Sequence, residues 1–237
     1  MNILAIDTSS DAIHLGLALG DEQSLFKRYE VQIVANGSRH SESLVPLMLS
    51  LCERNGLSFK DLDLLVCTNG PGSFTGLRIG MSVLKGISLA SGIPLCSVST
   101  MDALFGCVSH FPGAIIPVID ARKKRFYTAL YAEGRRQSAD LDVDVPEMET
   151  LMEGYPTVLI TGFDAVAFAA KIKTYEGQLF VDEKLSANLP LTLIKMGWEK
   201  FQKEGADDIG VGPTYVRKSD AELVLQEKIR SMEEEND

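Results

Sequence analysis

Residues 69–94, NGPGSFTGLRIGMSVLKGISLASGIP, restrict the fold more than any other stretch of the chain. A glycine-rich turn (Asn69, Gly70, Pro71, Gly72, Ser73) feeds a long helix, and Gly92 with Pro94 marks its end, because glycine takes the left-handed cap and proline cannot continue the helix. At about 100° per residue, Gly76, Gly80, Ser82, Gly86 and Ala90 share one arc with Ile79, Val83 and Ile87. Small residues there would let the backbone lie close on a sheet. Leu77, Met81, Leu84 and Ser88 form a second strip opposite, and only Arg78 and Lys85 carry charge. A helix apolar nearly all round is buried on both faces. One face goes to its own sheet, and the other needs a second helix or another chain.

The turn before this helix has two readings. Gly70 and Gly72 leave backbone N–H groups free at a helix N-terminus, which suits an anion. They also permit a strand-to-helix turn that bulkier residues could not adopt. No Gly-Lys-Ser/Thr follows, so the P-loop pattern is not met.

The flanking chain supplies the sheet. Residues 2–7 read as a short apolar strand ending in Asp7, Thr8, Ser9 and Ser10; 13–19 and 24–34 read as two more, parted by Gly20-Asp21. Three strands in succession imply an antiparallel meander. Ser41 or Ser43 is expected to cap a helix that runs to Asn55 and closes at Gly56. Its apolar positions Leu44, Val45, Leu47, Met48, Leu49, Leu51 and Cys52 span more than a sheet demands. Residues 62–68, LDLLVCT, lack alternation and read as a strand buried on both faces. After the long helix come a strand at 95–98 and a helix that Ser99 and Asp102 open as a capping box.

A boundary falls near 110–113, and the order then partly repeats. Strands are expected at 114–120, 126–132 and 157–161, with a polar strand-like piece at 138–145 and a last short strand at 179–181. Helices follow from Pro146, over 163–173 and over 190–204. Residues 206–215 read as a loop, and Ser219 opens an amphipathic helix with an acidic end. Two β-β-β-α-like halves suggest an old duplication. The chain therefore divides into a first unit, 1–109, with a C-terminal helix 213–237 packing back on it, and a smaller second unit, 110–205.

Bulk properties narrow the function. Net charge of −10 argues against nucleic-acid binding by general electrostatics. Cys52, Cys67, Cys96 and Cys107 form no C-x-x-C pair and sit in apolar runs, as buried thiols of a reducing cytoplasm do. The first ten residues lack a basic region followed by an apolar core, so no secretory leader is expected. No apolar run approaches the roughly 18 residues of a membrane span. His14, His40 and His110 have no metal-type spacing, and no H-E-x-x-H or G-x-S-x-G is present. Asp7 with Thr8, Ser9 and Ser10 could hold a metal–phosphate complex at a strand end, or form a hydrogen-bonded tight turn. Residues 120–127, DARKKRFY, with Tyr131, could grip a phosphate, an acidic protein surface or RNA; they equally suit a soluble hairpin turn.

MNILAIDTSS, SRHSESLVPLM, GPGSFTGLRIGMSVLKGISLA, Ser99-Thr100, Asp120-Ala121-Arg122 and P-x-Y-V-R at 213–217 together resemble the bacterial TsaB (YeaZ) family of threonylcarbamoyladenosine biosynthesis. The resemblance runs nearly end to end. It implies an α/β ASKHA fold (actin, sugar kinase, heat-shock chaperone), with two β-β-β-α-β-α type domains facing a cleft. It makes Asp7 to Ser10 the first phosphate loop; with Gly70 and Gly72 these are candidates for a vestigial nucleotide site, with no cofactor beyond weak ATP or ADP binding. The threonylcarbamoyl-transferring TsaD relatives carry a metal-binding H-x-x-x-H after the strand that follows the long helix. Here Thr100 and Leu104 stand in those places, and neither is an ordinary metal ligand. The implied protein is a non-catalytic, cytoplasmic subunit with no bound metal. It pairs with a TsaD-type catalytic subunit and a TsaE-type ATPase, meets tRNA only through that complex, and forms a homodimer when alone. The resemblance also points to the first two helices for pairing, which assigns the interface to Leu44, Leu47, Met48, Leu51, Leu77, Met81 and Leu84. A nucleotide-binding enzyme or a glycopeptidase-like hydrolase is the alternative.

Overall fold

The computed structural model describes residues 1–21, 23–35, 39–183 and 188–217. Strands β1 (Asn2–Asp7), β2 (Ala12–Leu19) and β3 (Arg28–Ala35) form the meander, and β4 (Leu64–Thr68) and β5 (Leu95–Val98) extend it in parallel, giving the order β3-β2-β1-β4-β5. Asp21 delays β3: its carboxylate accepts from the backbone N–H of Gln23 and Ser24, which turns 24–27 away from the expected extended run.

The second sheet repeats this plan. It holds β6 (Ala114–Asp120), β7 (Phe126–Thr128), β10 (Leu141–Val143), β11 (Thr157–Thr161) and β12 (Gln178–Val181), in the order β10-β7-β6-β11-β12. Counted within each half, both orders read third, second, first, fourth, fifth. In each the first strand is antiparallel to the second and parallel to the fourth. The single strand expected over 126–132 breaks at Ala129 and Leu130. There the Ser138 hydroxyl takes the Leu130 N–H, and the chain re-enters as β8 (Tyr131–Ala132) beside β9 (Arg135–Arg136).

Helices alternate with the sheets. On the outer face of the first sheet lie α1 (His40–Arg54) and α2 (Phe74–Ser91). Between the sheets lie α3 (Thr100–Val108) and α6 (Asn188–Glu204); outside the second lie α4 (Val145–Met152) and α5 (Ala165–Ala169). This layering and the duplicated strand order are the ASKHA architecture. α6 follows the second sheet in the chain but packs against the first: a Cβ on Gly197 would lie 2.4 Å from Val66 Cγ2, and one on Gly16 2.7 Å from Pro190 Cβ. Grouping 188–204 with the second unit by chain order is therefore corrected by packing. Residues 213–217 form no helix, and the rest of the helix expected at 213–237 lies outside the described residues.

The ends of α2 follow their sequence. Ser73 Oγ accepts from Gly76 N at 3.2 Å, and Gly92 takes the left-handed cap at φ 76°. α1 differs: Arg39 precedes it and no side chain caps it, so neither Ser41 nor Ser43 is its cap.

The inward face of α2 is rotated from the expected one: Gly76 and Gly80 face the first sheet as expected, but the larger strip is buried with them. Leu77, Met81 and Leu84 are all buried. Met81 and Leu84 join Leu44, Met48 and Leu51 of α1 over Leu4, Ile6 and Leu65, while Leu77 lies against the turn at Gly70, where a Cβ would stand 3.2 Å from its Cδ1. Six of the seven residues assigned to a partner interface are thus core, and Leu47 is half-buried. The physical reason is side-chain volume. Near its N-terminus α2 presses on the turn after β1, where a Cβ on Gly76 would stand 2.0 Å from Thr8 O and one on Gly80 2.3 Å from Thr8 Oγ1. One turn further along the same row the gap widens and Leu84 fills it. Gly86, by contrast, has nothing within 4 Å of a Cβ. The apolar surface that α1 and α2 leave outside includes Val45, Leu49 and Leu89, the last 71% exposed, beside the partly covered Ile79, Val83 and Ile87, with Phe74 exposed at the start of α2.

Among the described residues no helix is long and apolar enough to cross a membrane. Burial pushes the Cys52 thiol up to about 11 and the Cys67 thiol to about 12, as inert core thiols require.

Candidate functional site

The duplicated fold places the ends of β1 and β6 on either side of a cleft of about 560 Å³. Both strands end in Ile-Asp, Ile6-Asp7 and Ile119-Asp120. Ser9, Ser10, Asp11, Ala12 and His14 line it from the first hairpin, and Gly72, Ser73, Phe74 and Thr75 from the start of α2. Ile119, Asp120, Ala121, Arg122, Tyr127, Phe163 and Asp164 form the other wall.

Asp7 sits beneath this surface, fully buried. Its Oδ1 accepts from Thr68 Oγ1 at 2.7 Å and from Ser9 N at 3.2 Å, while Oδ2 lies 3.2 Å from His14 Nδ1. Burial alone would raise its pKa, but His14, Ser9 and Thr68 outweigh that and hold the carboxyl below the usual range. Thr8 turns away to bond Gly76 O at 2.8 Å. Ser9 Oγ is buried and has no hydrogen-bond partner among the described residues.

The six sequence-assigned phosphate residues therefore separate. Ser9, Ser10 and Gly72 reach the cleft, whereas Asp7 and Thr8 hold the turn from below. Gly72 is where the two loops touch: a Cβ there would lie 2.6 Å from Ser9 Cβ, and Ser73 N donates to Ser9 O at 2.7 Å. Gly70 faces elsewhere. At φ 112° it lies under the chain at Thr214, whose carbonyl oxygen a Cβ would meet at 2.6 Å.

On the opposite wall Arg122, Lys123 and Lys124 take φ of 61°, 55° and 63°, three successive left-handed residues that lack glycine's freedom. Hydrogen bonds hold them there: Ala121 N to Arg125 O, Arg125 N to Arg122 O, and Arg122 N to Asp120 Oδ1 at 2.7 Å. The basic segment does not act as one unit. Arg125 is committed to Asp142 and Glu147, while Arg122 reaches the cleft. Asp164 accepts from Asp120 N at 2.7 Å. Burial, with Asp120 and Asp11 nearby, raises its pKa against that hydrogen bond and Arg122. Among the described residues the cleft thus carries Asp11, Asp120 and Asp164 against the single guanidinium of Arg122, with no lysine in its lining.

His14 is the residue that sequence reading passed over. Register pairs it directly with Asp7 across the β1–β2 ladder, and its ring lies 5.4 Å from that of Phe163 on the other lobe. Hairpin arithmetic holds the signal: the turn at residues 8–11 joins β1 to β2 and sets partner numbers that sum to 21, which puts position 14 opposite 7. Thr100 and Leu104 are both fully buried at the start of α3, and neither lines the cleft.

Comparison with known proteins adds the family. A model of TsaD, tRNA N6-adenosine threonylcarbamoyltransferase, matches residues 34–173. The tRNA threonylcarbamoyladenosine biosynthesis protein TsaB of Bacillus subtilis (strain 168) is 34% identical over 232 residues, covering 94% of this chain and 96% of that one. The chain belongs to the TsaD-related TsaB family. The TsaB of Escherichia coli (strain K12) is 32% identical over 133 residues, 55% of each chain. The structure of YeaZ from Pseudomonas aeruginosa superposes with a TM-score of 0.70 at 21% identity, covering 91% of this chain and 99% of that one. That likeness concerns the fold.

Proposed function

We propose that this chain serves tRNA threonylcarbamoyladenosine synthesis in the cytoplasm as a non-catalytic subunit. It pairs with a TsaD-type transferase and works beside a TsaE-type ATPase. Family membership supports the pathway. The observation that carries the pairing is the apolar surface of α1 and α2: Val45, Leu49 and Leu89 stand exposed over a core that does not need them. A single such residue is ordinary on a soluble protein, but three on two helices that pack on each other suit an interaction site. In the isolated chain the same face closes on a second copy as a twofold homodimer. The missing catalysis rests on Thr100 and Leu104, which offer no imidazole where the TsaD pattern needs two. These residues do not fit a metal centre. Nucleotide binds weakly, because among the described residues the cleft wall sets Asp11, Asp120 and Asp164 against Arg122 and offers no lysine for phosphate.

The test is co-purification with a tagged TsaD-type protein, using Leu49→Arg and Leu89→Arg. Both sites are exposed, at 41% and 71%, so each variant should fold like the parent while a buried charge weakens association by 10-fold or more, on the order of 2 kcal/mol. Unchanged capture by both variants would place the pairing surface elsewhere.

A further inference from the structure

The segment after α6 returns along the first sheet and reaches the second lobe at Arg217. Asp207 anchors its start, accepting from Ser97 N at 2.7 Å and Ser97 Oγ at 2.6 Å. Lys85 of α2 donates to Val211 O, and Thr214 N donates to Asn69 O at 2.7 Å. Tyr215 then closes against α2: its hydroxyl accepts from Arg78 Nε at 2.7 Å, and its ring stands 5.0 Å from that of Phe74. The Arg78 guanidinium lies 3.7 Å above the Phe74 ring, so the three side chains form one stack on the first lobe.

Two residues later the chain has crossed to the second lobe. Arg217 gives Asp142 a forked pair, Nε to Oδ2 at 2.6 Å and Nη2 to Oδ1 at 2.8 Å, and Nη1 donates to Ala121 O at 2.9 Å. Its guanidinium also lies 5.9 Å from the Tyr127 ring. Phe74, Ala121 and Tyr127 all line the cleft. Residues 215–217 therefore touch the cleft rim on both lobes, and this is why Gly70 must be glycine beneath Thr214.

We propose that residues 213–217 are a strap that ties the two lobes together at the mouth of the cleft and sets how far it opens, with the Arg217–Asp142 fork as its releasable end. The cleft has a second tie between the same lobes at α3. Tyr131 stacks on Phe105 at 4.3 Å and donates to Asp102 Oδ1 at 2.6 Å, while Arg136 lies 3.1 Å from that carboxylate. That pin survives when the strap lets go. The lobes then swing about α3 rather than separate, as hinge closure requires. Arg125 shares Asp142 but lies wholly within the second lobe, so it provides the internal control.

The experiment reads access to the cleft without any ligand. Ser10→Cys places a thiol on the cleft wall, and its reaction with a bulky maleimide is timed in the full chain. Arg217→Ala should speed labelling about tenfold by raising the population of open molecules, and Arg217→Lys, which keeps charge but not the fork, should fall between. Tyr215→Ala releases the other end and should act in the same direction. Arg125→Ala should leave the rate unchanged. All variants should melt cooperatively, within about 3 °C of the Ser10→Cys parent for the strap variants. Unchanged labelling in Arg217→Ala and Tyr215→Ala, or equal acceleration by Arg125→Ala, overturns the strap. So does loss of cooperative melting in both strap variants, which would make the segment part of the core.

Discussion

Replacing Asp7 by asparagine should cost about 2–3 kcal/mol of folding stability at neutral pH. The substitution keeps the volume and removes the charge. In the native protein Thr68 Oγ1 and Ser9 N donate to one carboxylate oxygen, and His14 Nδ1 lies 3.2 Å from the other, all out of water. A hydrogen bond to a charged group is worth roughly 1 kcal/mol more than one between neutral groups, and two to three such contacts are affected. Total stability of a domain is about 5–15 kcal/mol, so the loss is easy to measure by urea unfolding. Its pH dependence has a fixed sign. The folded pKa of Asp7 is depressed, so its contribution is fully present above the unfolded value of about 3.9 and disappears as pH falls through the folded value. The gap between parent and Asp7→Asn should therefore be flat from neutrality down to about pH 5 and close below about pH 4. A difference under about 0.5 kcal/mol at pH 7, or one that widens on acidification, would refute the account of Asp7 as a charged anchor of the turn.

Two further contrasts test the packing of α2. Leu84→Ala, in the core with Leu4, Ile6 and Met48, should lose about 3–5 kcal/mol, while the exposed Leu89→Ala should stay within about 0.5 kcal/mol in the same denaturant titration. Gly76→Ala drives a Cβ to 2.0 Å from Thr8 O and should cost at least the 1–3 kcal/mol or so of an overpacked site. Gly86→Ala meets nothing within 4 Å and should instead raise stability by about 0.5–1 kcal/mol.

The fold was legible where one element carries one unambiguous signal. β1, β4, β5 and β6 are continuous apolar runs, and α2 announces both of its ends through Ser73 and Gly92. The signal failed where a side chain diverts the backbone. Asp21 holds residues 23 and 24 out of β3, and Ser138 splits the expected strand at Leu130. Such bonds depend on where a polar side chain finds its partner, and periodicity carries no record of that. The repeat was visible in element order, and the repeated strand order, a property of pairing, completes it.

Assigning Leu77, Met81 and Leu84 to an outer surface failed for a reason that side-chain size makes plain. A helix apolar on two sides has two possible inward faces, and hydrophobicity alone cannot choose between them. Smallness was read as close approach to the sheet along the whole arc. That holds only at Gly76 and Gly80, where Thr8 crowds the backbone; at Gly86 the same smallness faces open space. The sheet beneath α2 is lined by Leu4, Ile6 and Leu65, and away from Gly80 the space above them is filled at native packing density by the side chains of Met81 and Leu84. The larger strip therefore had to turn inward. Volume along a helix, taken together with the side chains it must meet, separates core from surface where polarity cannot. Gly86 and Ala90 then remain as small positions on the outer face, where another helix can come close.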